Sequence, residues 1–265
     1  MKHDYEAIVQ QALHEPGKIA AAYSAFWNYS LGNQSLAMTQ LGRAEPINTF
    51  RGWKSLGRHI KKGEKAIELL MPVIVKDKKE DADEIEKIIF LPKRNWFGLH
   101  QTEGQEFVPA VVPGFDLAKA ETELKIIVEP FHHADGNSQG YALTHKRTIA
   151  INPVAYDPIK TSFHECAHVL LHPYFFYLDT EELAKDVKEV EAELTAYLTC
   201  SSLGKTDTLE YSRGYIQNWI GDGTVEKVRF GKVFAAADAI LKAGRVEPDR
   251  PSNSTGPIAE PAFPT

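Results

Sequence analysis

The segment His164-Glu165-Cys166-Ala167-His168 constrains this chain more than any other feature. It lies in a run with helical apolar spacing, residues 160–171, which is followed by Pro173. Residues four apart share one face of a helix, so both imidazoles can reach a single metal ion, and the glutamate beside the first histidine can face the same ion. The pattern therefore predicts a Zn²⁺ site on a helix, with His164 and His168 as ligands.

Composition excludes several other kinds of site. Among 265 residues there are only two cysteines, Cys166 and Cys200, so a disulfide scaffold and a cysteine-rich zinc module are excluded. Cys166 lies about 200° around the predicted helix from His164, which predicts a packing thiol. No apolar run approaches the roughly 18 residues of a membrane helix, and the first residues lack the features of a signal peptide. We expect a cytoplasmic protein that does not contact a membrane.

A catalytic zinc site needs a third protein ligand and an open fourth position. Leu171 and Tyr174 stand where the metzincin pattern requires glycine and histidine, so that class is excluded. His172 ends the same predicted helix, and we expect it to act as a cation on the helix dipole or to lie on the surface. The third ligand is therefore expected from another element.

The next predicted helix, residues 180–203, contains three candidate carboxylates. Its apolar residues recur at three- and four-residue spacing and define a buried stripe, within which Glu191 falls. Glu189 and Glu193 are expected to project towards the flank or solvent. A carboxylate on a core face requires a cation, so Glu191 is the predicted third zinc ligand. The alternative is a salt bridge between Glu191 and a basic side chain.

This ligand set predicts hydrolysis of an amide bond. Zinc would polarise the carbonyl and activate water, while Glu165 would take up the proton and deliver it to the leaving amine. A predicted strand, residues 148–152, precedes the helix, and we expect its free edge to pair with an extended protein or peptide substrate. The predicted activity is that of a zinc-dependent metallopeptidase.

Charge is distributed unevenly along the chain, although the net charge of -6 argues against a nucleic-acid binder overall. Residues 21–70 contain seven basic and three acidic residues, and residues 179–193 contain two basic and seven acidic ones. Basic side chains can neutralise phosphates, and exposed aromatic rings can stack on unpaired bases. The candidate contacts are Arg51, Trp53, Lys54, Arg58, Lys61 and Lys62. The alternative is that Trp53 and Phe50 are core aromatics and the lysines form a solvated turn.

The element pattern predicts an α+β protein. The first part reads as helices at 4–29 and 33–41 with a small antiparallel sheet of strands at 66–75, 85–91 and 96–99. Pro109, Pro113 and Gly114 form a linker. A helix at 116–124 and strands at 125–128 and 148–152 follow, and then helices at 160–171, 180–203 and 225–243. The predicted domains are residues 1–110 and 115–247, with a disordered tail at 248–265.

Several motifs in the same order resemble the ArdC-type antirestriction proteins of mobile elements. In the first part these are Asn33-Gln34 with Leu36, residues 50–58, residues 61–65, Trp96-Phe97 and residues 101–104. In the second part they are residues 164–168, Val190-Glu191-Ala192-Glu193 with Ala196-Tyr197, and Tyr215-Ile216 with Trp219. The resemblance implies an N-terminal single-stranded-DNA-binding domain, residues 1–110, and a C-terminal zincin-like metallopeptidase domain, residues 115–247.

The metal motif is also similar to that of the ImmA/IrrE class of regulatory metallopeptidases, in which a Glu-Ala pair on the following helix supplies the third ligand. Glu191-Ala192 matches that pair. Three functions remain open. The first is a zinc metallopeptidase associated with single-stranded DNA and a role in antirestriction. The second is a non-catalytic, protective DNA-binding protein with a structural zinc. The third is a regulatory peptidase that cleaves a repressor.

Overall fold

The computed structural model describes residues 5–15, 17–77, 85–132, 137–173, 183–207, 209–221 and 227–247. These residues form two compact units. The first unit consists of residues 25–110, and the second consists of residues 5–24 together with the described residues from 111 onward. Residues 5–24, which were expected in the N-terminal domain, therefore group with the second unit. The expected tail at 248–265 lies outside the described residues.

The first unit is built on an antiparallel sheet beside a helix. Its elements are α3 (Leu31–Leu41), β1 (Ile47–Thr49), α4 (Phe50–Ser55), β2 (Arg58–Ile60), β3 (Ile67–Asp77), β4 (Ile85–Gly98) and β5 (Thr102–Gly104). β4 is central and pairs with β1 and β3, while β2 pairs with β5. The strands expected at 66–75 and 85–91 are confirmed as parts of β3 and β4. The separate strand expected at 96–99 is wrong, because Trp96 and Phe97 continue β4 and pair with β1.

Two amide side chains of α3 cover the outer edge of β3. The Asn33 side chain accepts a hydrogen bond from Leu70 N–H and donates one to Leu70 C=O, each at 2.9 Å. Gln40 binds the backbone of Glu68 in the same way, at 2.9 and 2.8 Å. Alternate residues of an edge strand present their backbone groups outward, so these amides replace a neighbouring strand. The next such residue, Pro72, has no N–H to leave unpaired.

The second unit begins with α1 (Tyr5–His14) and most of α2 (Gly17–Phe26), and contains a three-stranded sheet, a two-stranded sheet and four longer helices. Its other elements are β6 (Gly114–Phe115), α5 (Leu117–Glu123), β7 (Ile127–Val128), β8 (Gly140–Leu143), β9 (Thr148–Ile151), α6 (Pro158–Leu171), α7 (Lys185–Ser202), α8 (Leu209–Gly221), α9 (Phe230–Ala243) and β10 (Arg245–Val246). The expected free edge of the strand at 148–152 is wrong. β9 is the central strand, parallel to β7 and antiparallel to β8, so both of its edges are paired.

Helix α7 is the core of the second unit. Every residue from Val190 to Ser202 is buried, and the helix packs against α6, α8 and α9. A helix enclosed by three others has no solvent face over most of its length, which is why a single buried stripe describes only its N-terminal turns. None of the described helices is both long and apolar enough to cross a membrane. The mixed α+β architecture with small antiparallel sheets is as expected.

Candidate functional site

Helix α6 brings the two histidines of the motif together, as its spacing predicts. The Asp157 side chain caps the helix by accepting a hydrogen bond from Lys160 N–H at 2.9 Å, and Pro158 occupies the first turn. One helical turn separates His164 from His168, and their Nε2 atoms lie 3.2 Å apart. Both side chains are partly exposed, at 20% and 15%, so an ion held between them can be reached from outside.

Glu189 of α7, and not Glu191, faces the two histidines. Its Oε2 lies 3.3 Å from His164 Nε2 and 3.6 Å from His168 Nε2. Bonds of about 2.0–2.1 Å at tetrahedral angles place ligand atoms about 3.3 Å apart, so the three atoms fit one zinc-sized ion without rearrangement. Two imidazoles and one carboxylate also leave a fourth position. The residues present therefore fit a catalytic type of metal site.

Glu191, the expected third ligand, is committed to other partners. Its side chain is fully buried, as its place on the apolar stripe predicts. The cation that compensates it is the guanidinium of Arg229, which donates to Glu191 from Nε at 3.0 Å and from a terminal nitrogen at 2.6 Å, while the Arg229 backbone N–H donates at 2.8 Å. Burial raises the pKa of Glu191, but the bonds from His172 and Arg229 outweigh it and lower this pKa to about 2. The salt-bridge alternative is thus the one observed.

Glu193 lies behind His164 and is buried, although it was expected to project outward. Its carboxylate is 3.1 Å from His164 Nδ1 and 2.7 Å from Lys160 Nζ. Burial raises the pKa of Glu193, but His164 and Lys160 lower it to about 2, so the group is a carboxylate at neutral pH. A carboxylate on the second ring nitrogen orients a histidine ligand and increases its basicity.

His172 lies behind His168 and is neither a surface residue nor a simple dipole cation. Its side chain is 4% exposed. Its Nδ1 is 3.1 Å from His168 Nδ1, and its Nε2 is 3.0 Å from Glu191 Oε2. Burial lowers the pKa of His172, which favours the neutral ring at this position.

Glu165, the expected catalytic base, is buried beside the outer strand β8. Only 7% of it is exposed, and burial raises the pKa of its carboxyl group, as suits a group that must accept a proton near neutrality. A Cβ atom at Gly140 of β8 would lie 3.1 Å from Glu165 Oε1 and 3.0 Å from Ala150 O, so glycine allows the strand to approach the carboxylate. Cys166 on the same helix is a buried thiol whose pKa burial raises, as expected for a packing residue.

Protons and a metal ion would compete for the facing ligands. Burial lowers the pKa of His164, but hydrogen bonds to Glu189 and Glu193 raise it to about 9. The contacts of Glu189 with His164 and His168 hold the pKa of Glu189 well below its usual range. Without an ion, the Glu189 carboxylate thus favours the protonated form of the His164 imidazole. An incoming cation would have to displace that proton.

Trp53, the expected stacking residue of the first unit, is a core residue. It is 1% exposed, its indole N–H donates to Phe97 O at 2.8 Å, and its ring meets the edge of the Phe107 ring at 5.1 Å between centroids. The core alternative is therefore the one observed for this ring. Phe50, three residues earlier on α4, is 53% exposed and can offer a ring face to a base.

The candidate basic residues divide into two groups. Arg51, Lys54 and Lys62 are exposed. Arg58 instead donates from Nε to Thr102 Oγ1 at 2.8 Å and bonds Gln105 O, so it stabilises the pairing of β2 with β5. Lys61 Nζ donates to His100 O at 2.8 Å. We call the exposed set Phe50, Arg51, Lys54 and Lys62 the α4 surface.

Residues 7–105 match the family model described as the N-terminal domain of anti-restriction factor ArdC. An uncharacterized protein of Bacillus anthracis is 24% identical over 261 residues, a match that covers 78% of this chain and 43% of the relative. The chain thus spans less than half the length of that relative.

Two crystal structures of the antirestriction ArdC protein from the R388 plasmid have a similar fold. The metal-free structure is 18% identical and the Mn(II)-bound structure 17% identical, each with a TM-score of 0.51. Both alignments cover 91% of this chain and 95% of the R388 protein. The likeness therefore extends over both units.

Proposed function

We propose that this chain is an ArdC-type protein of the antirestriction family found on mobile elements, and that it binds single-stranded DNA through its first unit and hydrolyses peptide bonds with its second. Protection of incoming DNA against restriction would be its biological role. The observation that carries the peptidase assignment is the triad His164, His168 and Glu189, whose ligand atoms lie 3.2–3.6 Å apart. Both histidines lie on the helix that also carries Glu165.

The choice of zinc rests on the ligand set. Imidazole nitrogens with one carboxylate suit zinc, iron and manganese, and zinc binds such sites more tightly than manganese. The R388 relative has a Mn(II)-bound structure, which supports the binding of a divalent ion by a protein of this fold. In this chain His164, His168 and Glu189 would hold the ion, and a zinc ion held there would polarise a scissile carbonyl and activate water for attack.

The other residues of the site have separate tasks in hydrolysis. Glu165, whose pKa is raised by burial, accepts the proton of the attacking water and returns it to the leaving amine. Glu193 orients His164 through its Nδ1. β8 is an outer strand of the sheet formed by the described strands β7, β9 and β8, and Gly140 places it against Glu165, so we propose that an extended peptide substrate lies along β8.

The assignment of DNA binding rests on the α4 surface. Phe50 offers an exposed ring, and Arg51, Lys54 and Lys62 offer positive charge without forming the core of the unit. Stacking on a ring requires an unpaired base, which favours single strands over duplex. Fluorescence anisotropy of labelled oligothymidylate and of a matched duplex, titrated with the full chain, measures this preference.

The peptidase proposal is tested with Glu165→Gln, which preserves side-chain size but cannot accept the proton. We expect zinc content, measured by mass spectrometry of the purified protein, to remain at about one ion per chain. Hydrolysis of fluorescein-labelled casein should fall by a factor of about 10² or more. Glu123→Gln, on an exposed position of α5, is the matched control and should keep both properties.

Transformation of restricting and non-restricting cells with unmodified plasmid DNA separates the two main alternatives. If Glu165→Gln protects the DNA as well as the parent protein does, antirestriction is independent of hydrolysis, and the chain acts as a protective DNA-binding protein. A parent protein that retains no divalent metal and hydrolyses no casein would contradict the peptidase assignment.

A further inference from the structure

The hydrogen bonds behind His168 carry an inference that rests on the metal site proposed above. We propose that His172 is a positioning residue: it accepts a hydrogen bond from His168 Nδ1 and so directs the Nε2 lone pair of His168 towards the metal. The contacts are a distance of 3.1 Å between the two Nδ1 atoms and one of 3.0 Å between His172 Nε2 and Glu191 Oε2.

The direction of each hydrogen bond follows from the last partner in this row. Glu191 is a carboxylate and can only accept, so His172 donates to it from Nε2. A neutral imidazole that donates from Nε2 has its lone pair on Nδ1. The 3.1 Å contact between the Nδ1 atoms of His172 and His168 then requires the proton to be on His168 Nδ1. His168 then has its own lone pair on Nε2, the atom that faces His164 and Glu189.

Glu191 and Arg229 hold this row of side chains in place. The Glu191 carboxylate accepts three hydrogen bonds from Arg229, two from its guanidinium and one from its backbone N–H. Arg229 also donates to Leu171 O at 3.2 Å, which ties it to the end of α6 next to His172. The backbone N–H of His172 donates to His168 O at 3.0 Å. The His172 ring is thus restrained by contacts with His168 of α6 and Glu191 of α7, and Arg229 holds Glu191 in place.

These contacts also explain why His172 is not a fourth ligand. Its Nδ1 is occupied by His168, its Nε2 is occupied by Glu191, and its side chain is almost fully buried. The two metal-facing histidines are therefore supported differently. A carboxylate, Glu193, faces His164 Nδ1, whereas a neutral ring faces His168 Nδ1.

Three substitutions of His172 separate acceptance of the His168 hydrogen bond from simple packing. Asparagine places an acceptor oxygen near the position of Nδ1, and glutamine places a donor near the position of Nε2. Phenylalanine fills the space with neither. If His172 positions His168, His172→Asn should bind Zn²⁺ within about threefold of the parent, whereas His172→Gln and His172→Phe should bind it about 10–100-fold more weakly. His59→Asn, at an exposed histidine of the first unit, is the control.

Affinity is measured on the full chain by competition with a chromophoric chelator, and far-ultraviolet circular dichroism checks the fold of each variant. Nitrogen-15 NMR of the histidine rings in the zinc-loaded parent should show the proton of His168 on Nδ1 and that of His172 on Nε2. Three results would overturn the role of His172 while leaving the metal site intact. The parent could bind zinc while all three variants bind it equally, or His172→Gln and not His172→Asn could retain binding. The third such result is a zinc-loaded parent in which His168 has its proton on Nε2. If the parent binds no zinc, the metal site of the proposed function is wrong as well.

Discussion

Helices α4 and α7 lie in different units, but they place their side chains in the same way. In each, one residue is an obvious candidate from the sequence, Trp53 in α4 and Glu191 in α7, and both are buried with complete sets of partners. The residue free to meet a ligand lies two or three positions earlier: Phe50 is 53% exposed, and the Glu189 side chain is 38% exposed.

Burial and ligand exchange place different demands on a helix position. A buried charge or a buried indole N–H requires compensation, but an internal partner can supply it, as Arg229 and Phe97 do. A site that exchanges ligands with solvent requires partial exposure. The flank of a helix, between the buried stripe and the solvent face, meets this requirement.

Glu189 and Glu191 are only two residues apart on α7, so their glutamine variants form a matched pair. Glu191→Gln leaves Arg229 without its buried counter-charge, and we expect the free energy of unfolding of the metal-free protein to fall by about 3–5 kcal/mol. Glu189→Gln should change it by no more than about 1 kcal/mol, because the group is over a third exposed, yet zinc should be lost. Urea unfolding and zinc analysis give the two readouts. Equal stability of the two variants would contradict the distinction between flank and core.

The corresponding pair in the first unit is Trp53→Ala and Phe50→Ala. Removal of the buried indole leaves a cavity and an unpaired Phe97 carbonyl, so unfolding of the first unit should become easier by about 3–5 kcal/mol. Phe50→Ala should cost about 1 kcal/mol or less. Thermal unfolding of the full chain followed by circular dichroism measures both changes. A Trp53→Ala protein with the parent's stability would place this ring outside the core.

Acid should weaken the Glu191–Arg229 pair in a defined interval. The pKa of Glu191 is lowered from an ordinary 4.5 to about 2 in the folded protein. A lowered folded-state pKa stabilises the protein above the unfolded value, and this contribution is lost as the pH falls from about 4.5 to 2. The shift corresponds to about 3 kcal/mol. The difference in unfolding free energy between the parent and Glu191→Gln should therefore shrink over this interval; a constant difference would mean that ionisation of Glu191 does not stabilise the fold.

DNA affinity should depend on the exposed ring of α4. Phe50→Ala should weaken binding to oligothymidylate by about 1–3 kcal/mol, because one stacked base loses its platform, while duplex binding changes little. Leu56→Ala, at a partly buried position just after α4, is a control for small changes in local packing. Anisotropy titrations of the two variants decide this. Unchanged affinity after loss of Phe50 would exclude the α4 surface as a stacking site.

The smallest expected effect is on salt dependence. Each phosphate neutralised on a single strand contributes about -0.7 to the slope of log affinity against log salt concentration. Arg51→Gln and Lys54→Gln should each reduce the steepness by about that amount. Arg58→Gln should leave the slope nearly unchanged, since its guanidinium binds Thr102 and Gln105 within the unit. If only Arg58→Gln reduced the slope, Arg58 would make the phosphate contact, and the assignment of this contact to Arg51 and Lys54 would be wrong.

Local periodicity was sufficient for much of the fold and part of the site. The spacing of the motif fixes His164 and His168 on one face of α6, and the predicted helices at 116–124, 160–171 and 180–203 correspond to α5, α6 and α7. The strands at 66–75 and 148–152 correspond to β3 and β9. These features depend on residues within a few positions of each other, so local patterns are enough to predict them. The elements α4, α8 and β8 were not expected, since their patterns are short or polar.

Long-range packing selects the glutamate that meets the histidines. Helical periodicity gives the angles between Glu189, Glu191 and Glu193, but the burial at each angle depends on the helices packed around α7. Arg229 neutralises Glu191 from 38 positions away in the chain, and no local pattern predicts that contact. The same holds for Trp53, which is buried because Phe97 and Phe107 reach it from distant segments. Sequence sets directions within an element, and long-range packing decides whether each direction meets solvent, another side chain or a metal ion.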